Sequence, residues 1–417
     1  MSIFINYFRS ARRVTCLNLA VARIIICFYC IWKVSTFPFG ELAGFPEAFF
    51  KGNSHAILGM WRFAHPSILI AEQVVAVVCL IFLMVGFQTG FSSFVAALLI
   101  THLAGLSFAV TADKTFLLPA YFLIFYGIYR SQDLLTVDHF RSMGSAPQGH
   151  LNQMLQSAQP APAAMLSALR WLLLCMAAIY FITGFGKFKI GGWDFDWATA
   201  ENIRLSLLHN AINRGISLPP LGGLLLEHPW ILAVMGAGTL LLELGFLVVV
   251  LCGGPITPFI LGLGGMHFAI LLTMQVNYLT DMIFIYAAFL AWDSLAGRLQ
   301  FGRSLTIVYD NNCSLCARAL LLLKRCDVVG GLRFIGPSDS GAPKGYDYDE
   351  SIFVFDESGR AFRGYDGFVE LFFYLGLTKP VAWLMALSPV AVVGRRLYGC
   401  VARNRSCLSG EIPHAKP

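Results

Sequence analysis

The sequence predicts a polytopic α-helical membrane bundle of about eight spans, followed by a C-terminal α/β domain. Three observations carry that prediction. The chain of 417 residues is 57% hydrophobic and 13% charged, with a mean hydropathy of +0.67; soluble domains carry about twice that charge fraction. Apolar runs long enough to cross a bilayer recur between residues 14 and 292. After residue 304 short β-branched runs alternate with helix-forming stretches and turn residues, as in a soluble domain. The expected division is therefore 1–300 and 301–417.

The apolar runs are Val14–Trp32, Ile68–Phe87, Phe91–Val110, Phe116–Tyr129, Met165–Thr183, Trp230–Leu251, Pro255–Leu272 and Tyr278–Trp292. The first follows Arg9, Arg12 and Arg13 and is too long for the core of a cleaved signal peptide. Residues 37–66 read as an aromatic-rich interfacial loop, residues 130–163 as a polar loop or linker, and Glu201–Asn213 as an interfacial helix. Basic residues at three loops put the N-terminus and the C-terminal domain in the cytoplasm, as in a bacterial inner-membrane protein, although Lys187, Lys189 and Arg204 then lie outside. The net charge of +6 flanks apolar runs rather than forming one block, which points to a lipid bilayer and away from nucleic acid. Eleven cysteines, an odd number, argue against a fully paired secreted framework.

The chemistry-bearing stretch is Tyr309-Asp310-Asn311-Asn312-Cys313-Ser314-Leu315-Cys316. It follows the strand-like run Leu305–Val308 and opens into Ala317–Cys326, which has no Gly or Pro. Two thiols thus sit where a strand hands over to a helix. The first helical turn carries unpaired N–H groups and positive partial charge, so a thiolate at Cys313 is stabilised there. Cys316, one turn on, is placed to resolve a mixed disulfide on Cys313. Asp310 sets local charge or caps the turn, and is a candidate proton shuttle. Two bland readings compete: half of a zinc site, and purely structural thiols. Zinc needs two more ligands, and only the scattered Cys326, Cys400, Cys407 and His414 are on offer, so no metal is expected.

Further strands are expected at Leu332–Ile335, Ser351–Phe355 and Ala361–Arg363, the last two joined by the turn Asp356-Glu357-Ser358-Gly359. Helices follow at Tyr365–Leu375, Pro380–Leu387 and Val390–Asn404. A β-α-β unit, a hairpin and a helix is a thioredoxin-like order. No Gly-rich phosphate loop and no His-Glu-x-x-His set occurs, so nucleotide binding is unsupported.

Two family resemblances rest on these residues. Asp310, Cys313 and Cys316, with Tyr398 and Ala402-Arg403-Asn404-Arg405, make the C-terminal domain similar to the DCC family of thioredoxin-like proteins. That resemblance implies a thiol–disulfide oxidoreductase fold. In the apolar part, Tyr180–Phe188 with Trp193, Arg23, Asp113-Lys114-Thr115, Glu243 and His267 resemble the HTTM family, the transmembrane module of vitamin K-dependent γ-carboxylases. There it implies that Lys187 is the base acting on a hydroquinone. The sequence departs at Leu117-Leu118-Pro119-Ala120, where the carboxylases carry Asn-His; γ-carboxylation is not expected.

Arg23, Lys187, Lys189, Glu243, His267 and Asp281 are the costly residues in apolar runs. The bland readings are a snorkelling Lys187, a hydrogen-bonded core His267, and a Glu243 that neutralises Arg23 or Lys187. If Lys187, Glu243 and His267 converge, they form a pocket for proton chemistry on a lipophilic ligand.

The leading expectation is a membrane-bound thiol–disulfide oxidoreductase with Cys313, Cys316 and Asp310 as its site. Its partner would be an unidentified thiol or disulfide protein or a small thiol, and no cofactor is certain, with a quinone as the one candidate. The alternatives are a quinone- or lipid-modifying enzyme centred on Lys187, Glu243, His267 and Arg23, with a quinone as its ligand, and a membrane binding or transport module.

Overall fold

A computed structural model describes residues 15–46, 65–111, 116–157, 168–190, 192–193, 195–300 and 303–404. The basic N-terminal residues, most of the 37–66 loop, Asp113-Lys114-Thr115, Arg405, Cys407 and His414 lie outside them. Besides two short helices, Phe39–Leu42 and Pro220–Leu226, the helices in chain order are α1 (Cys16–Thr36), α2 (Pro66–Val85), α3 (Thr89–Thr111), α4 (Leu117–Tyr129), α5 (Val137–Ser142), α6 (Gln148–Gln156), α7 (Ala168–Ile190) and α8 (Ala200–Asn213). They continue with α9 (Pro229–Cys252), α10 (Ile256–Met274), α11 (Leu279–Ala288) and α12 (Trp292–Leu299). Then come β1 (Leu305–Val308), α13 (Ser314–Cys326), β2 (Leu332–Ile335), β3 (Phe353–Phe355), β4 (Ala361–Arg363), α14 (Tyr365–Tyr374), α15 (Lys379–Ala386) and α16 (Ser388–Arg403).

The described residues fall into two compact units: one drawn from 21–132 and 164–290, the other from 15–20, 133–163 and 291–417. Among the described residues six helices (α1, α2, α3, α7, α9 and α10) are long and apolar enough to cross a membrane. In the first unit α3 packs against α2 and α4, α4 against α7, and α7 against α9. Local sequence sets the ends of these helices. Pro66 and Pro229 stand in the first turns of α2 and α9, where the missing N–H costs nothing. Gly86 and Gly253 close the same helices with left-handed φ of 78° and 70°. Two expected spans differ from a full crossing. The run at Phe116–Tyr129 yields only the 13 residues of α4. The run at Tyr278–Trp292 is interrupted after Ala288, giving α11 and α12.

The second unit is built on a four-stranded sheet of order β2-β1-β3-β4. β1 pairs with β2 in parallel and with β3 antiparallel, and β3 with β4 antiparallel. The expected turn forms: the Asp356 carboxylate accepts the Ser358 and Arg360 N–H groups at 2.9 Å, and Gly359 takes a φ of 82°. Alternation along β1 puts Leu305 and Ile307 in one core with Leu320, Leu321, Phe334, Val354 and Leu371. Val308 faces the other way, into a smaller core with Tyr348, Phe353 and Phe355.

The described part of the 130–163 segment is not a linker, and the second unit is not confined to residues after 300. α6 packs along α13, with Leu151 and Leu155 fully buried in the main core. Each such leucine contributes roughly 1.5–3 kcal/mol of burial. The segment looked like a loop because α6 is otherwise polar, but its two leucines are four apart and share one face. The far end of α6 is held by Lys324, whose ammonium donates to the carbonyls of Met154 (2.8 Å), Leu155 (2.5 Å) and Ser157. Those are the acceptors a helix C-terminus leaves unpaired.

Candidate functional site

Cys313 is the N-cap of α13, and its sulfur accepts the Cys316 N–H at 3.1 Å. The helix therefore begins at the motif itself, and the first-turn donor that a Ser or Asp cap would satisfy is aimed at sulfur. The two cysteines are joined as a disulfide with Cα atoms 5.2 Å apart. Cys313 is buried, at 5% exposure, whereas Cys316 is partly exposed.

The loop before the helix is shaped by Asp310. Its carboxylate accepts the Asn312 N–H at 2.9 Å and its carbonyl accepts the Cys313 N–H at 3.1 Å. This is the turn-capping role among those expected for it. The loop is also held from outside. The carbonyl of Asn311 accepts from Gln148 (2.7 Å) and from Asn152 (3.0 Å), both on α6. The Tyr309 hydroxyl donates to Asn152 at 3.1 Å. Burial pushes Tyr309 up to about 12, with Asp339 adding to the effect, so its hydroxyl stays a donor at physiological pH. Gly336 leaves room for this arrangement: a Cβ there would stand 2.1 Å from the Asn311 amide nitrogen.

Further along α13, Arg318 is buried, with its Nε donating to the Ser314 carbonyl at 3.3 Å and its guanidinium 5.2 Å from the Phe140 ring. Gln148, Asn152 and Arg318 escape a reading of the motif alone. The available signal is the Leu151/Leu155 stripe, which marks α6 as a packed helix.

Residues 307–411 match the family model of DCC1-like thiol-disulfide oxidoreductases. The DCC1-like match covers the sheet from Ile307 on, the cysteine pair and α13 to α16, but not α5 or α6. Searches of curated proteins and of solved structures gave no match. The disulfide pair lies inside the matched residues and supports a redox role for this domain.

The polar residues of the first unit form several separate pairings. Lys187 is ion-paired with Glu243 at 2.5 Å, and its ammonium lies 4.8 Å over the Trp197 ring. Gly184 allows the approach, since a Cβ there would meet the Glu243 Cβ at 2.8 Å. His267 instead bonds the Tyr180 hydroxyl at 2.7 Å, which also contacts Tyr286 at 2.5 Å. Tyr180 and Lys187 are seven residues apart on α7, about 10 Å along one face. Arg23 is buried as expected and donates to the Tyr126 hydroxyl at 3.2 Å. Lys33 pairs with Asp281 at 2.8 Å, while Lys189 is exposed. Lys187 and Glu243 meet each other, but His267 has its own partners, so the three do not form one hydrogen-bonded cluster. Nothing in this arrangement selects a quinone. No cluster of three or more His, Cys, Asp or Glu suited to a metal occurs among the described residues.

Proposed function

We propose that the chain is a membrane-bound thiol–disulfide oxidoreductase in which Cys313 and Cys316 cycle between disulfide and dithiol. The observation that carries this reading is the Cys316 N–H directed at the Cys313 sulfur, at the start of a helix that follows a central strand. The strand order and connections suit a thioredoxin-like arrangement, and the DCC1-like match supports the reaction class. A thiolate at Cys313 gains both the hydrogen bond and the helix dipole.

Exposure suggests a division of labour opposite to the one expected from sequence. An incoming substrate thiolate reaches the Cys316 sulfur first. The substrate–Cys316 disulfide forms, the Cys313–Cys316 bond breaks, and Cys313 leaves as the stabilised thiolate; a better-stabilised thiolate leaves faster. A second substrate thiolate then attacks the mixed disulfide at the substrate sulfur and releases Cys316. The substrate is oxidised to a disulfide, and two electrons remain on the cysteine pair. The reverse sequence reduces a disulfide substrate through the same intermediate. Trapping tests it. Cys313→Ser should accumulate a mixed disulfide on Cys316, with a protein thiol or with a small thiol. Accumulation only in Cys316→Ser would restore Cys313 as the attacked sulfur, and trapping in neither variant would remove the exchange reaction.

The apolar helices act, in this reading, as the anchor, with the pair on the cytoplasmic face of a bacterial inner membrane. A membrane-impermeant thiol reagent should then label reduced Cys316 in inverted vesicles and not in intact cells. The engagement of Lys187 by Glu243 and Trp197 favours a structural role for that lysine over base chemistry.

A further inference from the structure

The last two helices present a surface that a soluble domain would not leave bare. α15 and α16 together have the apolar composition of a membrane span, yet a 91° bend between them prevents a straight crossing. The inward side of α16 is accounted for. Ala391 is buried, Gly394 lies against the Tyr365 ring, Arg395 pairs with Asp366 at 3.0 Å, and the Tyr398 hydroxyl meets Ser351 at 3.1 Å. The adjoining face, about a quarter-turn round the helix, carries Val390, Val393, Leu397 and Val401, at intervals of three or four residues, all exposed. Leu397 is 62% exposed, and on α15 Trp383 is 64% exposed beside Leu384 and Leu387. Arg396 and Arg403, seven apart and exposed, form a basic edge beside the apolar stripe.

We propose that the α15–α16 elbow is an interfacial membrane-docking surface, seated in the headgroup layer of a bilayer that contains anionic lipid. Three features favour lipid over a protein partner. An apolar ridge with arginines along its edge lets aliphatic side chains enter the acyl boundary while the guanidinium groups meet phosphate. An exposed Trp beside leucines suits the same depth. Among the described residues six helices are also long and apolar enough to cross a membrane, so a bilayer is at hand. The bend is the shape expected of a segment that lies on the membrane rather than through it. The proposal does not depend on the cysteine chemistry.

The test uses the full chain in proteoliposomes. A benzophenone amino acid is placed at Leu384, Val393 or Leu397, with the exposed turn residue Ser358 as control, and photoadducts are read by mass spectrometry. Lipid adducts should appear at the three elbow positions and not at Ser358. Yields should be several-fold higher in vesicles containing phosphatidylglycerol than in phosphatidylcholine alone, and Arg396→Gln with Arg403→Gln should abolish that gain. Adducts to a second copy, adducts elsewhere within the chain, or none at the elbow would overturn the docking surface. Equal yields in the two vesicle types would overturn its preference for anionic lipid. A cooperative thermal unfolding transition like that of the parent reports that the domain has folded in each variant.

Discussion

The side-chain amide of Asn152 donates to the backbone carbonyl of Asn311 at 3.0 Å, two residues before the buried sulfur of Cys313. A helix whose Asn152 lies 159 residues upstream thus fixes the loop that carries the redox pair. Asn152→Ala would leave the Asn311 carbonyl with one donor fewer and the Tyr309 hydroxyl without its acceptor. A loss of about 1–3 kcal/mol is expected for such buried groups. The expected result is a lower unfolding temperature of the second unit and an altered reduction potential of the pair, the latter read by equilibration with glutathione buffers. An unchanged potential would limit Asn152 to a packing role.

Lys324→Met keeps the aliphatic stem and removes the donors to the end of α6. Loss of about 2 kcal/mol is expected, given the strength of hydrogen bonds from a charged donor. Faster hydrogen exchange at Leu151–Gln156, with the β1–β3 amides unaffected, would show that α6 loosens locally. Uniform exchange would show instead that the unit opens as a whole.

His139 makes the same region sensitive to pH. Burial, helped by the charge of Arg325, lowers this imidazole from 6.5 to about 4. Between those values the unfolded chain binds the proton and the folded chain does not, so stability falls as pH drops through that window; above it both forms are neutral. Partial solvent access limits the effect to on the order of 1 kcal/mol. The protection factors of α5 and α6, corrected for the intrinsic slowing of amide exchange in acid, should fall between pH 6.5 and pH 4, and His139→Gln should flatten that dependence.

The Lys187–Glu243 pair should behave as a buried ion pair. Lys187→Met alone strands a carboxylate that is 3% exposed, at a cost of about 3–5 kcal/mol, whereas Lys187→Met with Glu243→Leu should recover much of the loss. Thermal unfolding in nanodiscs checks this. If Lys187→Met is as stable as the parent and loses thiol–disulfide activity, the structural role is wrong.

Much of the redox domain was legible because its signals are local. Leu305–Val308, Leu332–Ile335 and Ala361–Arg363 occupy the strands that their β-branched and aromatic residues announce, and the Asp356–Gly359 turn forms by its own side chain. The β3 strand begins two residues later than expected, at Phe353, because the Ile352 N–H bonds the Tyr398 hydroxyl instead of a strand neighbour. Other features depend on partners far away in sequence. Nothing near Gln148 or Asn152 reveals that both meet the Asn311 carbonyl, and nothing near Cys313 reveals that it is more covered than Cys316. In the apolar helices, residue type flags Lys187, Glu243 and His267 and offers Lys187 as one of two partners for Glu243, while the choice of Lys187, and of Tyr180 for His267, is fixed by packing at Gly184 and along α7.

The seat of α6 on α13 has a consequence for dissection of the chain. A fragment starting at residue 301 would strip Leu151 and Leu155 from Leu320, Leu321 and Phe334, baring an oily flank in water. Such a fragment should clump, and supplying residues 133–157 as a separate peptide should rescue its solubility. The exchange machinery is not a cassette that can be lifted out at its family boundary; the stretch after the fourth apolar run has to travel with it.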